Sequence, residues 1–400
     1  MLKRIAPLVV VLAFGTLAAV NIPAAIDVVP VSKNLTVHEW GTFTSVAGNE
    51  GQAVEWLPVD RQSDLPCFVN HSPAGLEDYL AGTVRMETPV LYFYTSREVK
   101  VNATVRFPKG WLTEWYPEAK LTNDYLRDED NLSTLEWHDV AVLPNAALSF
   151  PVESGPSHYY AARQTDAAPL RVKDQNEKFL FYRGVGNFPV PLSARVRHDG
   201  KIQVWSSAGV PIPGVILFES RSGKMGFRPV GSLNGGVTVD PPTLNGDLIS
   251  LQRELERILG RAGLYPREAA AMVATWRDSW FEEGTRVFYI VPPRLLDANL
   301  PLKINPKPVK VARAFVGRIE VITAATEKAV ADAIRTDNKS TLEPYNRFLR
   351  PIVEQLLAES AANLEDHRQV MDFATANLGG QLIFDKFLAG LSACERAATP

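Results

Sequence analysis

Hydrophobic and polar residues alternate with a period of two over the first long segment after Val31. One side of this segment carries Leu35, Val37, Glu39, Gly41 and Phe43, and the other carries Thr36, His38, Trp40, Thr42 and Thr44. A period of two is that of an extended β-strand. Similar apolar or alternating runs occupy 86–94, 100–107, 191–198, 201–207, 215–220 and 224–230. Strands at this density predict a β-sandwich-like core of antiparallel strands.

Two dipeptides predict tight turns between neighbouring strands. Asp199-Gly200 separates 191–198 from 201–207, and Ser222-Gly223 separates 215–220 from 224–230. A two-residue type I′ turn needs positive φ at both central residues, which favours Asp-Gly. We therefore expect two hairpins and regard the Asp-Gly pair as the stronger signal.

The spacing of apolar residues becomes helical after Pro241-Pro242. Apolar positions recur every three or four residues in 245–260, 266–283 and 345–357, and Pro351 predicts a kink or a break in the last of these. Strand-like segments return at 286–291, 300–304 and 312–322. The whole chain is therefore predicted to be mainly β and α+β overall.

The predicted organisation follows from these changes of pattern. We expect a leader at 1–25, a β-rich domain at 32–240, a helical insertion with returning strands at 241–323 and a C-terminal helical region at 324–400. If the helix over 345–357 does not pack inward, its apolar face would be a docking surface for a partner.

The composition removes two classes of protein. The chain has 400 residues, a net charge of −3 and 46% hydrophobic residues. A disordered chain would have a poorer core, and a typical nucleic-acid-binding protein would be more basic. We therefore expect a folded protein without a nucleic-acid partner.

The first residues have the layout of an export signal. Lys3 and Arg4 precede an apolar run over 5–20, which is shorter than the roughly twenty residues of a spanning helix. We expect a protein that is exported to the periplasm or the outside of a bacterium, with membrane contact only if this segment stays uncleaved. Cys67 and Cys394 are the only cysteines, and their pairing is left open.

Polar clusters within aromatic segments are the candidate chemistry, because the chain lacks a Gly-x-Ser-x-Gly elbow, a His-Glu-x-x-His helix and a Walker loop. Carboxylates in unequal environments can act as acid and base, and aromatic faces can hold a sugar ring. The catalytic candidates are Glu39, Glu87, Glu114 and His158. The candidates for binding are Trp40, Arg85, Tyr159, Tyr160, Arg163, Tyr182 and Arg183.

The same residues support two other interpretations. Glu39 or Glu87, paired with Arg85 or Arg183, would be a buried ion pair that ties strands together. Imidazole and carboxylate groups are also metal ligands, and Glu136 and His138 share one face of a strand. We therefore include His38, Glu136 and His138 as candidate metal ligands, without a cofactor that the sequence identifies.

Six short motifs carry a resemblance to other proteins. They are residues 37–44, with the sequence Val-His-Glu-Trp-Gly-Thr-Phe-Thr, and residues 85–90, 113–117, 158–163, 276–281 and 315–320. In these motifs the chain resembles a group of uncharacterised exported bacterial proteins with an N-terminal His-Glu-Trp-Gly-Thr-Phe-Thr motif. That group has no assigned activity, so the resemblance implies a bacterial envelope or periplasmic setting and no role for any residue.

Two classes of function follow. The first is a non-catalytic, exported β protein with a binding or structural role, in which the acidic motifs are ion pairs of the core. The alternative is an extracytoplasmic hydrolase, acting for example on glycans, with paired carboxylates and with or without a metal. We prefer the first class and expect a protein or a glycan as its partner.

Overall fold

The structure is a computed structural model that describes residues 34–58, 65–72, 80–124, 132–154, 157–359 and 364–378. The predicted leader and Cys394 lie outside these residues, so the leader stays a prediction. None of the helices in these ranges is long and apolar enough to cross a membrane.

A ten-stranded sheet is the centre of the molecule. Its strands are β1 (Thr36–Ala47), β2 (Ala53–Val54), β3 (Asn70–His71), β4 (Val84–Tyr94), β6 (Gly110–Tyr116), β11 (Leu180–Gly186), β14 (Ile212–Arg221), β15 (Lys224–Leu233), β17 (Gly284–Ile290) and β19 (Lys310–Val321). Their order is β15-β14-β17-β19-β1-β4-β11-β6-β3, and β2 pairs with β1. Two strands of 241–323, β17 and β19, therefore lie in the middle of the sheet that the earlier strands begin.

Two smaller sheets complete the β structure. The first contains β5 (Val99–Phe107), β7 (Lys120–Asp124), β8 (Leu132–Val142), β9 (Leu170–Val172), β10 (Gln175–Glu177) and β18 (Leu302–Asn305). The second contains β12 (Leu192–Val196), β13 (Ile202–Ser206) and β16 (Gly236–Val239). Among the described strands, β1 and β19 pair in parallel and the other pairs are antiparallel.

The helices lie in two groups along the chain. The first group is α1 (Leu248–Arg261), α2 (Pro266–Thr275), α3 (Arg277–Trp280) and α4 (Pro293–Asn299). The second is α5 (Ala324–Arg335), α6 (Lys339–Leu342), α7 (Leu349–Glu359) and α8 (Leu364–Leu378). Two 3₁₀ helices cover His158–Arg163 and Glu343–Phe348. The protein is mainly β with C-terminal helices and is α+β overall, as the sequence predicts.

Three buried hydrophobic clusters hold these layers together. One face of the ten-stranded sheet packs on the six-stranded sheet, with Phe43 and Phe93 against Val105 and Trp137. The opposite face packs at one end on α1 and α2. At its other end the second helix group covers Val46 and Trp56. The central strands therefore have helices on one face and a second sheet on the other.

Both predicted hairpins are present, but the two-residue turn predicted at Asp199-Gly200 is wrong. Ser222 and Gly223 have φ of 53° and 73°, so this pair forms the two-residue turn with positive φ at both positions. The 197–201 hairpin has a three-residue loop, in which the Gly200 amide donates to the Arg197 carbonyl and Gly200 has φ of 76°. A type I turn followed by a left-handed residue gives this loop, so only the last position needs glycine.

The helical stripes pack inward. Met272, Val273, Trp276 and Trp280 are buried, and the two indole rings stack 6.4 Å apart. In the second group the chain is 3₁₀ up to Phe348 and α from Leu349, so Pro351 lies in the first turn of a new helix. Proline fits that position because the first-turn amides have no partner within the helix.

Candidate functional site

Glu39 lies between the two large sheets and is fully buried. Arg313 Nε donates to Glu39 Oε2 at 2.5 Å, and the Tyr182 hydroxyl donates to Oε1 at 2.5 Å. Arg313 also donates to Asp297 at 2.7 Å. Burial and the Glu39 carboxylate raise the pKa of Tyr182, which therefore stays a donor. Glu39, which the alternating pattern places among apolar neighbours, thus accepts a hydrogen bond at each carboxylate oxygen.

Glu87 lies on the opposite face of the same sheet. The register pairs Thr42 with Glu87, and Thr42 belongs to the side of β1 that Glu39 does not share. The Thr44 hydroxyl donates to Oε2 at 2.8 Å, and Arg347 Nη2 donates to Oε1 at 2.6 Å. Arg347 comes from the second helix group, so this ion pair joins that group to the sheet.

Further charges continue across this face of the sheet. Arg318 Nη2 donates to Glu282 at 2.5 Å, and its guanidinium lies 5.1 Å from the Phe348 ring. Arg286 Nε lies 2.9 Å from Glu320 Oε2 without the alignment of a hydrogen bond. Burial raises the pKa of Glu320 to about 7, although Arg286 and Arg318 oppose this shift. The sequence reasoning missed this row, whose signal is Arg318 and Glu320, two charged residues on the same side of β19 near its end.

The candidate arginines of the sheet are also buried. Arg85 Nη2 donates to the Leu80 carbonyl at 2.5 Å and lies 5.0 Å from the Trp56 ring. Arg183 Nη2 donates to Thr88 Oγ1 at 3.3 Å. Glu114 is 4% exposed. Glu39 pairs with Arg313 and Glu87 pairs with Arg347, two arginines that the sequence analysis did not name.

The motif at 158–163 forms a separate cluster. Arg163 makes a bidentate pair with Glu177, with Nε at 2.9 Å from Oε1 and Nη2 at 2.7 Å from Oε2. The Tyr159 hydroxyl donates to Oε2 at 3.0 Å, and the Tyr160 ring lies 4.9 Å from the Arg163 guanidinium. His158 Nδ1 lies 3.6 Å from Asp278. Arg163 thus neutralises an internal acid, and the raised pKa of Glu177 has burial as its main cause.

The candidate metal ligands are not brought together. His38 is buried on the ten-stranded sheet, where Nδ1 lies 2.7 Å from Glu268 Oε2. Glu136 and His138 lie on β8 of the six-stranded sheet, and Glu136 faces Lys120 at 3.6 Å. Within the described residues, no group of three or more His, Cys, Asp or Glu side chains could hold a metal ion.

Trp40 and Glu268 explain how α2 is positioned. Trp40 is fully buried among the residues that pack under α1 and α2. Glu268 accepts hydrogen bonds from the Tyr94 hydroxyl and from the Tyr265 amide, both at 2.7 Å. The Tyr265 contact caps the N-terminus of α2. His38 and Trp40 therefore fix a helix on the sheet.

Comparison with known proteins gives no family. No protein-family model matches the chain, and no curated protein matches it significantly. Solved structures that align with it include the yeast delta-COP-I mu-homology domain, alone at 9% identity and with a Dsl1 WxWxV peptide at 8% identity. Each alignment covers 72% of this chain and 98% of the solved chain, with a TM-score of 0.27. Similarity at this level carries no argument about this chain.

Proposed function

We propose that this chain is an exported protein of the bacterial cell envelope that binds a ligand or a partner and has no catalytic activity. Its acidic motifs hold the fold together. One observation carries the proposal: Glu39 and Glu87 lie on opposite faces of one sheet, and each is sealed in its own ion pair. The leader-like sequence and the resemblance to exported bacterial proteins support the location.

The ion-pair geometry argues against a shared catalytic centre. A glycosidase needs two carboxylates roughly 5 to 10 Å apart across an open cleft that admits water and substrate. Glu39 is fully buried and Glu87 is 2% exposed, with a layer of backbone between them. Buried acids with arginine partners are instead typical of structural pairs, and removing one partner strands the other charge.

The roles of the two acids are tested by amide substitution. We expect Glu39→Gln to lower the free energy of unfolding by about 3 kcal/mol, because the buried Arg313 guanidinium then keeps only the exposed Asp297 as a counter-charge. Glu87→Gln should cost less, about 2 kcal/mol, because its partner Arg347 is 28% exposed and water offsets part of the loss. Urea denaturation measures this. The matched control is Glu50→Gln, whose carboxylate is 79% exposed and pairs with Arg195. It should change stability by less than about 1 kcal/mol.

Two results would contradict the proposal. If both amide variants were as stable as the wild type, the ion pairs would have no structural role. A Glu87→Gln protein that keeps its stability and loses a measurable glycan hydrolysis of the wild type would establish the hydrolase alternative. Export is tested by fractionating bacteria that express the protein and measuring the mass of its mature N-terminus. Protein that stays in the cytoplasm with an intact leader would overturn the proposed location.

A further inference from the structure

A pocket of about 400 Å³ opens at one end of the ten-stranded sheet. The turn between β14 and β15 forms one wall, the start of β17 forms the floor, and α5 with the 3₁₀ helix Glu343–Phe348 forms the other wall. Its volume lies within the usual range of small-molecule sites. The candidates from the sequence analysis do not line this pocket.

Seven of the fifteen residues that line the pocket carry a hydroxyl group. Thr285 and Tyr345 are 2% and 8% exposed, line the pocket, and make no hydrogen bond within the described part of the chain. Thr341 adds a further hydroxyl, whereas the Thr323 and Thr326 hydroxyls bond each other at 3.2 Å at the N-terminus of α5. Neither the Thr285 nor the Tyr345 oxygen is among the fully buried, unpaired polar atoms of the described residues, so both hydroxyls reach the pocket and are open to a ligand. Burial and the nearby Glu283 raise the pKa of Tyr345 to about 12, which keeps its proton in place.

The charges of the lining leave one acid without a cation. Glu219 pairs with Arg221 at the turn. Glu283 Oε1 accepts the Ser222 amide at 2.7 Å, and no cation in the described residues pairs with this acid. The lining thus holds two carboxylates against one guanidinium. Behind Gly284, Arg286 lies 2.9 Å from Glu320 and 3.6 Å from Glu282.

We propose that this pocket binds a small polyhydroxylated molecule with a primary ammonium group, of the size of an amino sugar. The Glu283 carboxylate pairs with the ammonium, and the hydroxyls of Thr285 and Tyr345 hold the ligand's hydroxyl groups. A partly buried ion pair with good hydrogen-bond geometry contributes more binding free energy than an exposed ion pair does. The inference rests on the proposed binding role and supplies its ligand class.

Glucosamine and glucose at near-neutral pH are the probes, because they differ by one ammonium group. Calorimetric titration of the full chain should give saturable glucosamine binding, with glucose about tenfold weaker, which corresponds to about 1.4 kcal/mol. Glu283→Gln should remove this difference. Tyr345→Phe should weaken both sugars, since the hydroxyl contact does not depend on the ammonium. The matched control is Glu343→Gln, an exposed acid of the same 3₁₀ helix that does not line the pocket.

Hydrogen–deuterium exchange on the wild type locates the site without relying on a variant. Glucosamine should protect the β14–β15 turn and the 3₁₀ helix. The inference is overturned by no saturation up to about 50 mM, by equal affinity for the two sugars, or by a Glu283→Gln protein that still prefers glucosamine. Glucosamine has no glycosidic bond, so these binding results do not depend on the hydrolase test. If glucosamine does not bind, the proposed non-catalytic role can still be tested by the amide variants.

Discussion

At the scale of single residues, the informative positions are charged residues that the alternating pattern of a strand places on a buried face. Glu39 interrupts the apolar side of β1, so the alternation of the sequence predicts a buried position, and the side chain is fully buried. A buried carboxylate must be paired or protonated. The structure contains both outcomes, since Glu39 has a well-aligned arginine and Glu320 has a poorly aligned one. Burial is the main cause of the raised pKa of Glu320.

Glu320 should make the protein less stable as the pH rises. Burial raises its pKa from 4.5 to about 7, so folding favours the protonated acid. This contribution is complete below pH 4.5 and is lost as the pH passes 7, by up to about 3 kcal/mol. Urea denaturation at pH 4.5, 6 and 8 should therefore show the stability of the wild type falling relative to Glu320→Gln. A constant difference, or one of opposite sign, would contradict this.

At the scale of elements, the close contact of β17 and β19 depends on a glycine. Tyr289 and Gly317 are directly opposite in the register, and a Cβ at Gly317 would overlap the Tyr289 ring. The ring is fully buried and thus covers the glycine backbone. Aromatic side chains that cover a strand glycine replace the packing that glycine lacks.

Gly317→Ala should destabilise the protein by about 2 kcal/mol, because the ring must leave its place in a packed core. The control is Gly260→Ala, where a Cβ meets nothing within 4 Å and the helix gains a better helix former. It should be neutral or slightly stabilising. In a Tyr289→Leu background the cost of Gly317→Ala should fall, and thermal unfolding compares the four variants with the wild type. An unchanged cost in that background would show that the strain lies elsewhere.

At the scale of the whole molecule, the parallel pair β1–β19 connects every layer. Phe43 and Phe315 belong to the cluster between the sheets, and Trp40 belongs to the cluster under α1 and α2. Val46 and Ile322 belong to the cluster under the C-terminal helices. Loss of this strand pair would therefore remove one side of all three clusters together.

We expect a single unfolding transition for the described region. Tryptophan fluorescence and far-ultraviolet circular dichroism should give the same urea midpoint, and Val46→Ala should shift both equally, because the clusters share their central strands. Val152→Ala, at a position that is 72% exposed, should leave both midpoints in place. Two separated transitions, with only one of them moved by Val46→Ala, would mean that the C-terminal helices unfold independently.

The sequence by itself determined the strands, the helical stripes and the burial of Glu39, because periodicity is a local property of the chain. Only the tertiary structure decided the partners, since Arg313 lies 274 residues from Glu39 and Arg347 lies 260 residues from Glu87. The same holds for the pocket, whose Glu219, Glu283 and Tyr345 come from three distant segments. Spacing along the chain carries no information about such contacts, because strand order and helix docking place them.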